Sequence, residues 1–201
     1  AVIGALVSIQ GRANGALARD VGDAIGAAAL GFILGWVIIT VLLFTNAQHR
    51  AGLRAIPSLL RAGQLRWWLL LGGLGGATLV ASQGFAVPVL GVSLFTVALV
   101  AGQTTSSLEV DRLGLGPSGR LHPSRSRVFA SVISVVAVVV AINPFSNAIS
   151  FQPVAVFVCL FAGTLVSAQQ AFNGRVAMAT GSPIAAAWMN FSVGGIMLWS
   201  L

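Results

Sequence analysis

The residues able to do chemistry in this chain are mostly amides. Gln10 and Asn14 stand four positions apart, as do Gln169 and Asn173, so each pair shares one face of a helix. An amide both donates and accepts hydrogen bonds, and can grip a polar molecule without placing a charge in an apolar body. Amides also bond helix to helix in membrane bundles, and that structural role competes for the same four residues. Gln83, Gln103 and Asn190 are single polar residues in apolar stretches, positions that tend to turn towards a bundle interior. For Gln103, a cavity lining and a structural bond are both open. Trp188 could stack on a flat molecule, although tryptophan serves more often in a core or at an interface.

The ionisable groups form no catalytic grouping. Glu109 and Asp111 lie beside Arg112, and Asp20 and Asp23 lie in a loop beside Arg19, a pattern of salt-bridged helix ends. A proton-coupled carrier often carries a carboxylate deep in a helix, and none is placed so here. His49 and His122 fall in arginine-rich loops without ligand-spaced partners, and Cys159 is the one cysteine. No metal site, disulfide, cofactor or nucleophile–base pair is therefore expected, and an enzyme is disfavoured. Gly114, Gly116 and Gly119 spell G-x-G-x-x-G, but no strand precedes them and no helix start follows, so they do not read as a dinucleotide site. Arg12 and Arg175 lie near helix ends, where a long side chain can reach the headgroups. The sequon at Asn190-Phe191-Ser192 falls inside a helix and is unusable.

What must position these residues is a set of membrane helices. Of 201 residues, 57% are hydrophobic and 7% charged, against roughly a quarter charged in soluble domains. Such a chain cannot cover a water-soluble surface, and the bilayer is its natural solvent. Seven apolar segments are long enough to cross: Ala1 to Leu17, Gly22 to Phe44, Trp67 to Ala86, Pro88 to Ser107, Val128 to Ile142, Pro153 to Ala177 and Pro183 to Leu201. Pro88 suits the first turn of the fourth, Asn143-Pro144 stops the fifth, and Trp67 and Trp68 sit like an interfacial belt. None of the segments alternates apolar with polar, which excludes barrel strands. Glycines at Gly22/Gly26, Gly31/Gly35 and Gly72/Gly76 have the small-xxx-small spacing that lets helices approach closely.

The net charge of +7 comes from eleven arginines without a lysine. A nucleic-acid binder needs a basic face on a soluble body, and this chain has no such body. Arg50, Arg54, Arg61 and Arg66 follow the second segment; Arg112, Arg120, Arg125 and Arg127 follow the fourth. The connections Ala86-Val87 and Asn143 to Gln152 carry none, so the positive-inside rule makes the arginine side cytoplasmic. The first segment then runs outwards and the sixth runs inwards.

A self-match at an offset of 159 points to duplication. Val7 to Gly35 aligns without gaps on Val166 to Gly194 with twelve identities in 29 positions, where composition alone gives roughly three. Gln10/Gln169, Asn14/Asn173, Phe32/Phe191 and Gly35/Gly194 are among them. Five segments separate the copies, and an odd number inverts the orientation. Inverted repeats are the architecture of many secondary transporters, with the substrate site at the repeat interface. The expected division is a first five-helix repeat over 1–146 and the start of a second, inverted one over 147–201. On that pattern, about ten residues before Ala1 and roughly a hundred after Leu201 would complete a ten-helix form.

The paired Q-x-x-x-N segments and the stretch VAGQTTSSLEVDRLGLGP, with Gln103, Ser107, Asp111, Gly114 and Gly116, resemble the drug/metabolite transporter superfamily. The resemblance is to its bacterial YdcZ-type inner-membrane exporters and covers essentially the whole chain. It implies ten helices in two halves, a central cavity between them, and export of small molecules by alternating access. The expectation is thus an all-α polytopic bundle of the bacterial inner membrane, exporting a small organic metabolite or drug. A channel or non-transporting assembly subunit is the alternative. Its partners would be the lipid bilayer and a small-molecule substrate, not nucleic acid, with a homodimer left open. Candidate substrate contacts are Gln10, Asn14, Gln83, Gln103, Gln169 and Asn173, on a cavity lined by the first, third, fourth and sixth segments.

Overall fold

The computed structural model describes residues 2–142 and 153–200, all helix, turn or loop. In chain order the helices are α1 (Val2–Val21), α2 (Ala24–Thr45), α3 (Ala47–Arg61), α4 (Gly73–Leu113), α5 (Arg125–Ile142), α6 (Pro153–Thr180) and α7 (Pro183–Trp199). A short 3-10 helix, Trp67–Gly72, leads into α4. The Asn143-Pro144 stop and the division at 146/147 lie outside the described residues.

The two boundaries of α2 have a local cause. Asp23, expected at a salt-bridged helix end beside Arg19, does stand at a helix end but caps α2, its carboxylate accepting from the Ile25 amide at 2.9 Å, while Asp20 lies within α1. The four unpartnered amides at a helix start make a capping carboxylate stabilising there, by about 1 kcal/mol. The other two carboxylates behave as expected: Glu109 pairs with Arg112 at 2.6 Å and Asp111 with Arg127. Asn46 ends α2 and caps α3 through the Gln48 amide at 2.8 Å, turning the chain within one residue.

The stretch after α2, expected as a basic loop, is helix α3. Its leucines and Ile56 recur at helical spacing, and Leu53, Ile56, Leu59 and Leu60 join one apolar cluster with Val176 and Ala186. The arginines Arg54 and Arg61 stay exposed on the other side. Counting arginines hides this period, because charge and apolar residues interleave on an amphipathic helix. Gly52 lets α3 sit directly on the Thr180 carbonyl and Ser182, and His49 Nδ1 lies 3.1 Å from the Ser182 hydroxyl. Thus α3 caps the ends of α6 and α7.

The third and fourth expected segments are the two arms of α4, 73–90 and 92–113. They were expected to part at Ala86-Val87 with Pro88 opening the second; the reversal falls instead at Gly91 (φ 76°, ψ 161°). That conformation is essentially restricted to glycine, so the turn forms where the chain offers one. Pro88 completes the first arm, and its missing N–H loosens the last turn. Both arms meet the same part of α6: Gly75 abuts the Leu165 carbonyl and Gly102 abuts Leu160.

Contacts fix the helix directions. In α1 and the first arm, Gly11 meets Gln83 and Gly15 meets Val87, so the two run parallel. In α6, Leu165 meets Gly75 while Asn173 meets Gly72, so α6 runs antiparallel to that arm and to α1. The second arm follows α6, from Leu99 beside Gly163 to Gly114 and Gly116 bonded by Arg175. The 112–127 connection, α3 and the end of α6 therefore share one end of the bundle.

Repeat-related residues also contact reciprocally. Gly35 packs on Phe191, and its counterpart Gly194 packs on Phe32; the Phe32 and Phe191 rings lie 5.2 Å apart. Such a paired exchange is the signature of two-fold symmetry. Close helix approach is concentrated at Gly73, Gly75, Gly102 and Gly163, where backbone meets backbone. Of the glycines singled out by spacing, Gly35, Gly72 and Gly76 pack on other helices, Gly31 borders open space, Gly22 makes a turn and Gly26 meets only Asp23.

Among the described residues, four helical stretches are long and apolar enough to cross a membrane: Ala24–Thr45, Trp67–Leu113, Arg125–Ile142 and Pro153–Thr180. Trp67–Leu113 doubles back at Gly91 and so supplies two crossings. The orientation is testable because the native Cys159 is buried. Cysteines replacing Arg54 and Arg125 should both react with an impermeant maleimide only from the cytoplasmic side. Labelling from opposite sides would overturn this topology.

Candidate substrate cavity

Between α1, α2, both arms of α4, α6 and α7 lies a cavity of about 640 Å³. That is within the range of small-molecule sites, roughly 300–1,000 Å³. Gln10 and Asn14 reach it from α1, Gln103 from the second arm, and Gln169 and Gln170 from α6. Asn190 and Phe191 reach it from α7, and Phe32 from α2. Every polar side chain in this wall is an amide or the Thr96 hydroxyl, and no lining residue is charged. The α2 and α7 walls were not expected.

The six candidates separate. Gln10, Asn14, Gln103 and Gln169 border the cavity. Gln83 does not: it is fully buried behind Asn14, whose amide donates to its Oε1 at 2.6 Å. Asn173 does not either, and packs with Asn190 against Gly72. The reason is helical phase. Asn173 lies four residues past Gln169 on α6, one turn nearer the arginine-rich end, where the 3-10 helix covers it.

Two walls close the cavity at its ends. At the end opposite the arginine-rich connections, Gly84 packs on Ala18 and Ala24, and Gly15 on Val87, with the Asn14–Gln83 bond beside them. Towards them, Gly73 meets the Asn190 carbonyl and Gly194. Along the side, Gln10, Gly31, Leu34, Ile38 and Val100 are exposed lining residues, so the cavity is a cleft.

Asn190 and Phe191 were missing from the expected wall, as was Phe32. The signal for the two phenylalanines was present in the duplication. Val7/Val166, Gln10/Gln169 and Phe32/Phe191 are identical between copies, and all six residues border the cavity. Gln170 left no such signal, since its counterpart is Gly11. Trp188 does not enter the wall; its indole donates to Thr40 at 3.0 Å and packs beside Trp36.

The family model "Putative inner membrane exporter, YdcZ" (DMT_YdcZ) matches residues 1–140 and 154–201. The chain belongs to that family. It is accordingly a multi-pass inner-membrane protein of an exporter family, and the apolar helices above are its membrane-spanning part. No curated protein and no solved structure matches the chain. Among the described residues, no group of three or more His, Cys, Asp or Glu could hold a metal ion.

Proposed function

We propose that this YdcZ-family protein exports a small, uncharged organic molecule by alternating access, with the amide-lined cleft as its binding site. The observation that carries this reading is the wall itself. Six Gln and Asn side chains that can both donate and accept face a space of about 640 Å³ that, apart from Thr96, is otherwise apolar. A charged ligand would meet no counter-charge there and would lose its hydration, a large penalty in a membrane interior. A neutral molecule carrying amide, hydroxyl or carbonyl groups exchanges its water hydrogen bonds for those of the amides.

Support for alternating access comes from the inverted directions of α1 and α6 and the reciprocal Phe–Gly contacts. A five-helix repeat over 1–146 and the first two helices of an inverted one over 147–201 face opposite ways, the relation by which repeats exchange roles at the two membrane faces. The bilayer and a small molecule are then the partners. Purified protein in vesicles should show saturable efflux of such a compound. Linear, non-saturable flux would fit a channel, and none at all would fit an assembly subunit.

Within this reading, Gln103→Ala and Gln169→Ala each remove an amide from the wall. Each should raise the half-saturating concentration about tenfold, as expected for a lost hydrogen bond worth about 1.4 kcal/mol. Asn173→Ala, outside the cavity, should leave it unchanged. Transport kinetics of the three variants check this, and equal values for all three would remove the amides from the binding site.

A further inference from the structure

The arginine-rich end of the bundle holds a second cavity, of about 480 Å³, whose chemistry is unlike the first. It lies between the Gly63–Leu69 segment, Pro117 and the last turns of α6. Its charged groups are Arg66 and Arg175. Arg175 is half-buried, and its Nε donates to the Gly116 carbonyl at 3.0 Å while Nη2 donates to that of Gly114. Those bonds hold the guanidinium in place and leave Nη1 without a protein acceptor among the described residues. Arg66 makes no side-chain hydrogen bond or salt bridge among them.

No carboxylate offsets this pair. Glu109 and Asp111 are engaged by Arg112 and Arg127, and Asp20 and Asp23 lie at the opposite end of the bundle. Two guanidiniums around one space favour a phosphate, whose oxygens accept paired N–H donors. The other lining side chains include the polar Gln64 and the apolar Leu65, Leu69 and Pro117, with Met178 exposed at the rim. Next to Arg66, Trp67 is 68% exposed, where an indole sits at headgroup level in a bilayer.

We propose that this cavity binds a phosphate-bearing group at the cytoplasmic face, with Arg66 and Arg175 on the phosphate. Basic pockets between helices on this side of a membrane suit anionic lipid headgroups. Gln64 can bond the glycerol hydroxyl or ester oxygens of such a lipid and Pro117 and Met178 can meet its first methylenes, and a soluble phosphate ester would present the same anion. This site is independent of the transport reading, since no residue of the amide-lined cleft takes part.

Ligands that bind only the folded chain raise its melting temperature. The purified protein in a neutral detergent is therefore titrated with dihexanoyl phosphatidylglycerol, with glycerol 3-phosphate, and with zwitterionic dihexanoyl phosphatidylcholine. A rise with phosphatidylglycerol alone assigns a lipid; a rise with glycerol 3-phosphate as well assigns the phosphate group from either source. Arg66→Gln and Arg175→Gln should each weaken the response about tenfold or more, the scale of a lost charged hydrogen bond. Arg66→Gln is the decisive variant, because it breaks no bond in the fold. Arg54→Gln, an equal loss of charge on the exposed side of α3, should change nothing. The proposal is overturned if neither anionic ligand outperforms phosphatidylcholine, or if Arg54→Gln weakens the response as much as Arg66→Gln.

Discussion

Replacing Gly31 by Phe should abolish transport while leaving the folded protein intact. Gly31 borders the amide-lined cavity, and a side chain added there meets nothing within 4 Å. Its φ is not in the left-handed region, so a larger residue strains no backbone. The new ring would project into space that a ligand needs. A phenyl group occupies on the order of 100 Å³, a sizeable part of a pocket of this class. In the helix interior, glycine is about 1 kcal/mol less favourable than alanine, so the substitution does not cost helix stability. Efflux from vesicles and melting in detergent are the paired measurements. Efflux at the unsubstituted rate, with melting unchanged, would show that this space is not the transport route.

The opposite result is expected at Gly163. A Cβ at that position would press on the Leu99 carbonyl and lie 2.9 Å from the Gln103 nitrogen and 3.1 Å from the Gly102 Cα. These are backbone atoms, which cannot rotate aside as a side chain would. The contact is central, because α6 meets both arms of α4 and the cluster from Phe95 to Ala162 lies around it. In lipid, close backbone packing is itself the main attraction between helices. Gly163→Ala should therefore destabilise the protein by about 1–3 kcal/mol, the usual cost of overpacking. Chemical or thermal unfolding in detergent reads this directly. A melting temperature equal to that of the unsubstituted protein would mean that α4 and α6 do not meet here.

These two glycines look alike in the chain, and their difference shows where sequence reading stops. Spacing picked out Gly31 as a packing residue, while Gly163 belonged to no motif. Which glycine faces a neighbouring backbone depends on how a helix is rotated in the bundle, and that rotation is set by all of its neighbours together. The same limit explains Gln83 and Asn173. Both are amides in apolar helices, yet Asn14 covers one and the 3-10 helix Trp67–Gly72 covers the other.

The hairpin in α4 is a case of partial legibility. That two crossings lie between Trp67 and Leu113 follows from length alone, since one straight helix of that span would be far longer than a bilayer is thick. The place of the reversal did not follow, because Pro88 and Gly91 both break helices and only the packed structure selects the glycine. The period in α3 is present in the sequence, but interleaved arginines mask it.

By itself, the sequence determined the solvent, the helical class, the common side of the arginine-rich connections and the antiparallel relation of its two related segments. Composition, segment length and self-similarity are properties of the chain that no packing can alter. Tertiary structure alone decided which amides share one cavity, where the chain reverses and which arginines converge at the membrane face. Those depend on helix rotation and on distances between residues far apart in the chain, and a one-dimensional pattern does not carry them.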